Sequence, residues 1–425
     1  MNFNLNKLSS GVDLITSNLN NTRTATVMLF FGTGSRYENE KLWGASHLFE
    51  HALFKGTKTH PTPSAISGVI ESKGGIFNAF TDKEMTGYWC KIPSEFVEDG
   101  LKILAEMVTE PLLRQEDIDV EKKVVFEEIN ASNDSPDSKC SLNAENLIWP
   151  DQPMGRDIAG SVKSLSKINK KDLMQYFFNQ YVASNAVLVV SGNIDIDKIN
   201  LCAENVFKHF NNGNPKPYFP VLFTNKGPIV SVEFRETSQT NLSFLLKGYS
   251  VNHQNRFAID LLSVILGESM SSRLFEEVRE KRGLAYSINS FNVHFSDCGL
   301  FGIDSGVNKN NLFEAVDVIC DQLVKIKTKI EDKELKEAKD LMKGRLSMRL
   351  EDSRSIASFL GFQQLIKKKI QLFEEISDLI DSITLDDINL VTKDIFKTEN
   401  FILSIVGSVK NSDALIEKMN LLNQK

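Results

Sequence analysis

The sequence predicts an α+β protein made of two similar domains, each a sheet covered on one face by helices. The first observation is an internal repeat, because residues 168–194 and 383–409 align without a gap, with Ile168 opposite Ile383. The second is that each copy reads as an amphipathic helix, a short turn and an apolar strand that ends at glycine. The offset between the copies is close to half of the 425-residue chain, which indicates a tandem duplication. The other matched positions pair Asp172 with Asp387, Asn185 with Asn400, Leu188 with Leu403, and Gly192 with Gly407.

Further predicted strands and helices fall at corresponding places in the two halves. Early in each half, the segments TATVMLFFGTGSRYE and QTNLSFLLKGYS have the character of strands. Later, SEFVEDGLKILAEMVTEPLL and KNNLFEAVDVICDQLVKIKT have helical periodicity, and strands interspersed with long helices are typical of α+β domains. A polar stretch that contains prolines separates the halves. We therefore predict a first domain at 1–212, a linker at 213–226 and a second domain at 227–425.

The composition is that of a folded globular protein that does not bind nucleic acid. Hydrophobic residues make up 41% of the chain and charged residues 25%, with a formal net charge of −7. Acidic and basic residues are mixed along the chain, without the basic stripe that a phosphate backbone requires. No apolar run reaches the length of a membrane-spanning helix, so we expect no membrane insertion.

The cysteines and the first residues of the chain indicate a reducing compartment. The five cysteines are an odd number, lie far apart and include no Cys-x-x-Cys pair, which is typical of thiols that form no disulfide. The first twenty residues lack the basic and apolar regions of a secretion signal and the arginine-rich character of a transit peptide. We therefore expect a cytoplasmic protein, from a bacterium.

The segment ASHLFEHALFKGT, residues 45–57, contains the first candidate for chemistry. On a helix, His47 and His51 lie one turn apart on one face, so both imidazoles can reach one cation. Glu50 flanks the same site, and the order H-x-x-E-H supplies two nitrogen ligands and an adjacent carboxylate that can act as a base. Histidine and carboxylate ligands together suit zinc. The alternative is a histidine pair in the core or at the surface without a metal, and the pentapeptide alone does not exclude it.

A catalytic zinc needs a third protein ligand and an open position for water. The helix-like segment QEDIDVEKKVVFEEINASND offers Glu121 and Glu128, seven residues apart on one face together with Ile118 and Val125. Carboxylates on an apolar stripe are costly unless they are paired or bound to a cation. Glu127 lies about a hundred degrees round the helix and is a competing candidate. The spacing does not choose between Glu127 and Glu128.

These motifs resemble those of the insulinase and pitrilysin family of zinc peptidases, in particular the short-chain branch that includes the mitochondrial processing peptidase. In that family a glutamate ligand follows H-x-x-E-H after seventy-six intervening residues, and counted from His51 this position is Glu128. The resemblance implies that Glu128 is the third ligand and that Glu121 supports the site. It covers essentially the whole chain, and it implies mostly antiparallel sheets in two domains arranged as a clamshell.

Two further segments of the first half carry the resemblance. GGIFNAFTDKEMTGYW is similar to the family's edge strand along the cleft, and DQPMGRDIAG is similar to its Pro, Gly-Arg and Gly pattern beside a helix. The resemblance implies that the edge strand binds the substrate, with the candidate residues Ile76, Phe77, Asn78, Ala79, Phe80 and Thr81.

The second half keeps the repeat without the metal ligands. When the repeat alignment is extended without a gap, the positions of the three H-x-x-E-H residues hold Leu262, Ile265 and Leu266. The segment MSSRLFEEVREKRGLAYSI contains Arg279 and Tyr286, which resemble the family's paired arginine and tyrosine. The resemblance implies that Tyr286 stabilises the oxyanion and that Arg279 holds the substrate backbone. Without it, both residues fit an amphipathic helix and an exit turn at glycine.

The function that the resemblance implies is that of a zinc-dependent endopeptidase with one zinc ion per chain. Its substrates would be extended peptides or presequence-like segments, hydrolysed inside a closed chamber with Glu50 as the general base. Family members of this size imply a dimer, either with a second copy or with a related chain. Two alternatives are a non-catalytic structural or partner subunit with the same fold, and a protein whose zinc is purely structural.

Overall fold

A computed structural model describes residues 2–224, 227–410 and 413–420 of the chain. The chain forms two compact units, and each is discontinuous in sequence. The predicted domains 1–212 and 227–425 follow the sequence repeat. The compact units have other bounds, because residues 130–156 belong to the second unit and residues 347–373 to the first. Residues 225 and 226 of the predicted linker lie outside the described residues. The first unit comprises Met1–Ile129, Asp157–Phe219 and Ser347–Phe373, and the second comprises Asn130–Arg156, Pro220–Leu346 and Glu374–Lys425.

Each unit contains one sheet, and the two sheets share a topology except that the first has one additional edge strand. The first runs in the order β1-β2-β6-β3-β5-β4 and the second in the order β7-β11-β8-β10-β9. All neighbours are antiparallel except β2 with β6 and β7 with β11. The predicted α+β fold of two similar domains is confirmed. The strands are β1 (Asn4–Lys7), β2 (Asp13–Asn18), β3 (Thr24–Phe31), β4 (Ile76–Thr81), β5 (Thr86–Pro93), β6 (Ala186–Gly192), β7 (Ile229–Phe234), β8 (Gln239–Gly248), β9 (Ala285–His294), β10 (Gly299–Asn308) and β11 (Ile402–Gly407).

The helices are amphipathic, and among those described none has the length and apolar character needed to cross a membrane. Two further turns, Phe275–Glu280 and Gln363–Lys367, are π-helical. The helices are α1 (Ala45–Leu53), α2 (Pro63–Glu71), α3 (Val97–Thr109), α4 (Gln115–Asp134), α5 (Pro136–Ile148), α6 (Val162–Leu165), α7 (Lys170–Gln180), α8 (Ile196–Phe207), α9 (Arg256–Gly267), α10 (Leu312–Thr328), α11 (Asp332–Arg349), α12 (Ser353–Phe362), α13 (Phe373–Ser382), α14 (Leu385–Ile395) and α15 (Asp413–Asn420).

The duplication is clearest at α7 and α14, which begin and end at matching positions of the repeat. Each helix starts with a capping box, formed by Asn169 and Asp172 in α7 and by Thr384 and Asp387 in α14. In a capping box, the side chain of the residue before the helix accepts a hydrogen bond from the backbone N–H three residues later. The side chain of that later residue accepts one from the backbone N–H of the first. The same local interactions therefore start the same helix in both copies.

One helix from each half of the sequence packs on the sheet of the other half. Helix α5 lies against β8 and β11 of the second sheet, and α12 lies against β3 and β6 of the first. These two helices are counterparts in the repeat, and they cover the sheet face opposite the main helical layer. Strand β3 is therefore buried at every residue after its first, as a strand covered on both faces should be.

Candidate metal centre

Helix α1, which carries the H-x-x-E-H motif, is fixed at its start by a buried carboxylate. Glu38 is 1% exposed, and its two oxygens accept from the backbone N–H groups of Gly44 (2.7 Å) and Ser46 (2.6 Å). These N–H groups have no partner within the helix, and a negative charge at a helix N-terminus is favourable. On the opposite side of the motif, Leu48 and Phe49 are buried in the core of the first unit. The face with the histidines is therefore held in one orientation.

Two glycines allow α1 to begin close to the backbone of the segment 159–160. Gly44 has φ +93° and Gly160 has φ +84°, in the left-handed region where glycine is favoured. A Cβ at Gly160 would lie 2.9 Å from the Cα of Gly44 and from the carbonyl oxygen of Trp43. The close approach of these two segments determines where α1 starts, and therefore where the histidines lie.

Glu121 and Glu128 share one face of helix α4 but differ in burial. Ile118, Glu121 and Val125 are buried, whereas the Glu128 side chain is 46% exposed. Glu127, the competing candidate from the sequence, is exposed and is not part of the group of metal-binding atoms described next. The apolar stripe of α4 packs into the core, so Glu121 is carried inward with it.

His47, His51 and Glu128 lie together in the first unit. One ligand atom from each of the three residues lies within 4.8 Å of the other two. Nε2 of His47 is 3.8 Å from Oε2 of Glu128, and Nε2 of His51 is 3.7 Å from the same oxygen. The two imidazole rings are 4.6 Å apart between their centroids. The structure thus brings together the three residues that the resemblance implies as metal ligands.

This group fits zinc in donor type and in spacing. Zinc prefers imidazole nitrogen and carboxylate oxygen at about 2.0–2.2 Å, so neighbouring tetrahedral ligands lie about 3.3–3.6 Å apart. The two nitrogen-to-oxygen separations of 3.7 and 3.8 Å exceed that spacing by only a few tenths of an ångström, and all three ligand atoms lie within 4.8 Å of one another. The histidine side chains are 17–19% exposed and Glu128 is 46% exposed, so one side of the group is accessible to water and substrate. Three protein ligands and an open side are typical of catalytic rather than structural zinc.

Glu121 contacts Nδ1 of His51, the ring nitrogen that does not face Glu128, and Lys55 contacts Glu121 in turn. Nδ1 of His51 lies 3.0 Å from Oε2 of Glu121, and Nζ of Lys55 lies 2.5 Å from Oε1. When Nδ1 carries the proton and donates to Glu121, Nε2 is left with the lone pair that a metal needs. Sequence reasoning found Glu121 but missed Lys55. The signal available was its position four residues after His51, just past the end of α1 at Leu53.

Burial and neighbouring charges give the two histidines different proton affinities. Burial, with the charge of His51 as a smaller effect, lowers the pKa of His47 to about 4, so this imidazole is neutral at pH 7. Burial alone would lower the pKa of His51, but the bond to Glu121 and the charges of Glu128 and Glu50 outweigh it and raise this pKa. For Glu121 the bonds from His51 and Lys55 outweigh burial and lower the pKa of the carboxyl. Glu121 is therefore a charged acceptor.

Glu50 projects from the same helix and is 8% exposed. Burial raises the pKa of its carboxyl and the charge of Glu128 adds to this rise, while the bond from Thr81 and the charge of His51 oppose it. The hydroxyl of Thr81 donates to Oε2 of Glu50 at 2.6 Å. A carboxyl whose pKa is raised, beside a metal-binding group, is suited to proton transfer. The bond from Thr81 is a second feature that sequence reasoning did not identify.

The six predicted substrate-binding residues form strand β4, the last strand of the first sheet. Ile76 and Asn78 are exposed, and the other four residues are partly buried. Strand β4 pairs with β5 on one side, and its other side is the sheet edge. Because β4 ends at Thr81, the sheet edge leads directly to the hydroxyl that contacts Glu50.

Arg279 and Tyr286 both belong to the second unit. Arg279 lies at the end of the π-helical turn, and the chain leaves this turn through Gly283, which has φ +61°. The Arg279 guanidinium is 4.7 Å from the ring centroid of Phe275 and 5.7 Å from that of Tyr286. Tyr286 is 76% exposed. The two side chains therefore form one accessible cation–aromatic pair.

Comparison with known proteins identifies related chains over nearly the full length. The family model described as "Insulinase (Peptidase family M16)" matches residues 14–161, and the one described as "Peptidase M16 inactive domain" matches residues 167–342. A Rickettsia felis protein described as an uncharacterized zinc protease is 32% identical over 398 residues, which are 93% of this chain and 96% of that protein. The uncharacterized zinc protease YmxG of Bacillus subtilis is 32% identical over 409 residues, which are 95% of this chain and 97% of that protein.

Solved structures show the same fold at lower sequence identity. A protease from Helicobacter pylori matches with a TM-score of 0.88 at 22% identity, covering 96% of this chain and 99% of the other. A chain of the complex III dimer from Candida albicans matches with a TM-score of 0.87 at 20% identity, covering 99% of both. The matches of both family models and of the full-length relatives show that the chain belongs to the insulinase family, peptidase family M16.

Proposed function

We propose that this protein is a zinc-dependent endopeptidase that binds one zinc ion per chain through His47, His51 and Glu128. The observation that supports this most directly is the grouping of their ligand atoms within 4.8 Å, with the buried Glu50 on the same helix. The description of its full-length relatives as zinc proteases supports the same activity. The resemblance, which implies Glu128 rather than Glu127 as the third ligand, agrees with this grouping.

The reaction replaces the C–N bond of a peptide with a C–O bond from water. Zinc, when bound, supplies Lewis acidity, which polarises a carbonyl oxygen and acidifies water. In our proposal, Oε1 of Glu50 accepts the proton of the attacking water and then delivers it to the leaving nitrogen, so the proton is conserved. Thr81 holds the other oxygen of Glu50 and so fixes the direction of the carboxylate. Glu121 keeps His51 oriented during the reaction.

We propose that the substrate is an extended peptide that adds to the edge of β4. An added strand is recognised through backbone hydrogen bonds, which tolerate many side-chain sequences. The edge position of β4 and its end at Thr81, next to Glu50, support this placement. Folded proteins would be excluded because their backbone groups are already paired. Extended peptides and presequence-like segments are therefore the proposed substrates.

Arg279 and Tyr286 are proposed to act on the bound substrate, Tyr286 as a donor to the oxyanion and Arg279 as a holder of the substrate backbone. Their exposure and proximity to each other support a shared role. We expect Tyr286→Phe to lower kcat by about 10²–10³-fold, as for the loss of one oxyanion donor. Zinc content should stay at the wild-type level. Steady-state kinetics with a quenched peptide measure the change, and a wild-type kcat would remove Tyr286 from the mechanism.

Three glutamate variants of the full-length protein test the proposed metal site and its base. Glu50→Gln should retain zinc and lower kcat by about 10²–10⁴-fold, the usual contribution of a general base. Glu128→Gln should lose both zinc and activity, because the variant lacks an anionic ligand. Glu127→Gln is the matched control, since this neighbour of Glu128 on the same helix contributes no ligand, and it should behave as the wild type. Elemental analysis measures the zinc content, and digestion of a mixed peptide library measures cleavage.

The same measurements separate the alternatives. A wild-type protein that holds zinc and cleaves no peptide in the library would support the non-catalytic subunit or the structural zinc instead. Wild-type turnover in Glu50→Gln would contradict the assignment of the base, and zinc loss in Glu127→Gln alone would contradict the assignment of Glu128. Sedimentation of the same preparations tests the proposed dimer, formed by two copies or with a related chain.

A further inference from the structure

The sheet face covered by α12 in the first unit is apolar at three paired positions. Val189 of β6 pairs with Met28 of β3, which in turn pairs with Trp89 of β5. These three side chains are at most 6% exposed and belong to one apolar cluster with Ile356 and Leu360 of α12. In the first unit, apolar side chains therefore fill the space between the sheet and α12.

The second unit has polar residues at the same three positions. In the repeat alignment, Val189 corresponds to Ser404, Met28 to Ser243 and Trp89 to Asp304. The pairing is also retained, because Ser243 pairs with both Ser404 and Asp304, and Asn289 of β9 extends the row from Asp304. The first unit shows that the fold accepts apolar residues here. A carboxylate and two hydroxyls at these positions therefore call for a reason other than folding.

A cavity of 460 Å³ lies at this polar row, beneath the first turns of α5. Its lining is mainly carboxylate, hydroxyl and amide groups, and it includes Asp304, Asn289, Asn241, Asp137 and Ser141. Oδ1 of Asp304 is shielded from solvent, and the hydroxyl of Ser243 on the paired strand is the neighbouring donor that stabilises this carboxylate. A partly buried carboxylate with one neighbouring hydroxyl can accept further hydrogen bonds, so a ligand that supplies donors would be stabilising.

The electrostatics of this cavity favour a cation. Burial raises the pKa of Asp304, and the charges of Glu145 and Asp137 add to this rise, while the hydrogen bond from the Ser243 hydroxyl opposes it. Within the described lining there is no lysine, arginine or histidine. The positive end of α5 is already satisfied, because Ser135 and the backbone of Ser138 donate to Asp137 and lower the pKa of its carboxyl. An anion would therefore be repelled by the carboxylates in and beside this cavity.

We propose that this cavity binds a small organic cation whose ammonium or guanidinium group donates to Asp304. The surrounding hydroxyl and amide oxygens can accept the remaining N–H groups. A bare metal ion fits less well, because no three metal-binding side chains of the described residues converge at this cavity. Across the described chain, three metal-binding side chains converge at His47, His51 and Glu128, in the other unit. A volume of 460 Å³ lies in the usual range for small-molecule sites.

Calorimetric titration of the full-length protein tests this proposal with L-argininamide and 1,4-diaminobutane as probes. Potassium chloride at matched ionic strength and magnesium chloride are titrated as controls. We expect saturable binding of at least one organic cation, with an affinity about 10–100-fold lower in Asp304→Asn, as for the loss of a charged acceptor. Asp378→Asn, an exposed aspartate on α13, is the matched control and should bind as the wild type.

A second variant covers the case in which Asp304→Asn does not fold. Ser141→Lys places a tethered ammonium group at the cavity and should abolish binding by occupying the site. The proposal is overturned if neither organic cation binds the wild-type protein saturably, or if binding survives unchanged in Ser141→Lys or Asp304→Asn. It is also overturned if potassium chloride gives the same heats, or if magnesium binds saturably at Asp304 in place of the organic cations.

Discussion

Lys55 decides which carboxylate of α4 remains available to a metal. Glu121 and Glu128 both lie near His51, but each oxygen of Glu121 is already engaged, Oε1 by Lys55 at 2.5 Å and Oε2 by His51 at 3.0 Å. Glu128 has one oxygen near both imidazole Nε2 atoms. The ion pair with Lys55 thus holds Glu121 as an acceptor behind His51, and Glu128 is left to act as the ligand.

Replacing Lys55 with methionine should therefore weaken zinc binding without removing a ligand. Partners behind a ligating histidine typically contribute about 10–100-fold to metal affinity, and we expect a loss of about tenfold in Lys55→Met. Competition with a chelator of known affinity measures the zinc Kd. Lys58→Met is the matched control, because its ion pair with Glu110 involves two largely exposed side chains and such pairs contribute little. A wild-type zinc Kd in Lys55→Met would show that Glu121 needs no such support.

Among single residues, the sequence predicted those whose chemistry depends on local spacing. The pairing of His47 with His51 follows from one helical turn, and the inward position of Glu121 follows from the apolar stripe of α4. The choice of Glu128 over Glu127 depends on how α4 is rotated against α1, which residue spacing does not contain. Lys55 was missed because a lysine near a helix end usually faces solvent.

At the scale of elements, the start of α1 depends on two glycines that meet. Gly160→Ala would place a Cβ 2.9 Å from the backbone of Gly44, at a φ of +84° that alanine disfavours. We expect a loss of about 1–3 kcal/mol in the free energy of unfolding, together with weaker zinc binding as α1 shifts. Urea denaturation and zinc competition measure the two effects.

Gly68 supplies the matched control, since it lies inside α2 with no atom within 4 Å of an added Cβ. Gly68→Ala should stabilise the protein by about 0.5–1 kcal/mol, because alanine favours a helix over glycine. Equal effects of the two substitutions would contradict the argument that the contact between Gly44 and Gly160 fixes α1.

The sequence predicted several elements, among them α1, α4, α7 and α14, but not where α5 and α12 pack. The bounds of α7 and α14 follow from polar caps and apolar periodicity, which are local. Periodicity also shows that α5 and α12 have an apolar face, but it does not show which sheet that face will cover. The exchange of these helices depends on contacts between residues more than a hundred positions apart, such as Thr26 with Ser353.

For the whole molecule, this exchange means that neither half of the sequence contains a complete unit. The first sheet needs α12 to cover Ile15, Met28, Phe30 and Val189, which form one cluster with that helix. Each fully buried side chain of this kind contributes about 1.5–3 kcal/mol. Uncovering several of them would exceed much of the roughly 5–15 kcal/mol that is typical of the net stability of a domain.

We therefore expect a fragment of residues 1–212 to fail to fold when it is produced alone. It should bind a dye for exposed apolar surface, unfold without a cooperative transition and lack measurable zinc affinity. Co-production with residues 213–425 should restore a cooperative transition and zinc binding, because that fragment supplies α12. The control carries Ile356→Asp and Leu360→Asp in the second fragment, which place charges on the face of α12 that joins the cluster. Cooperative unfolding and wild-type zinc affinity in the isolated first fragment would show that the main helical layer alone stabilises the sheet.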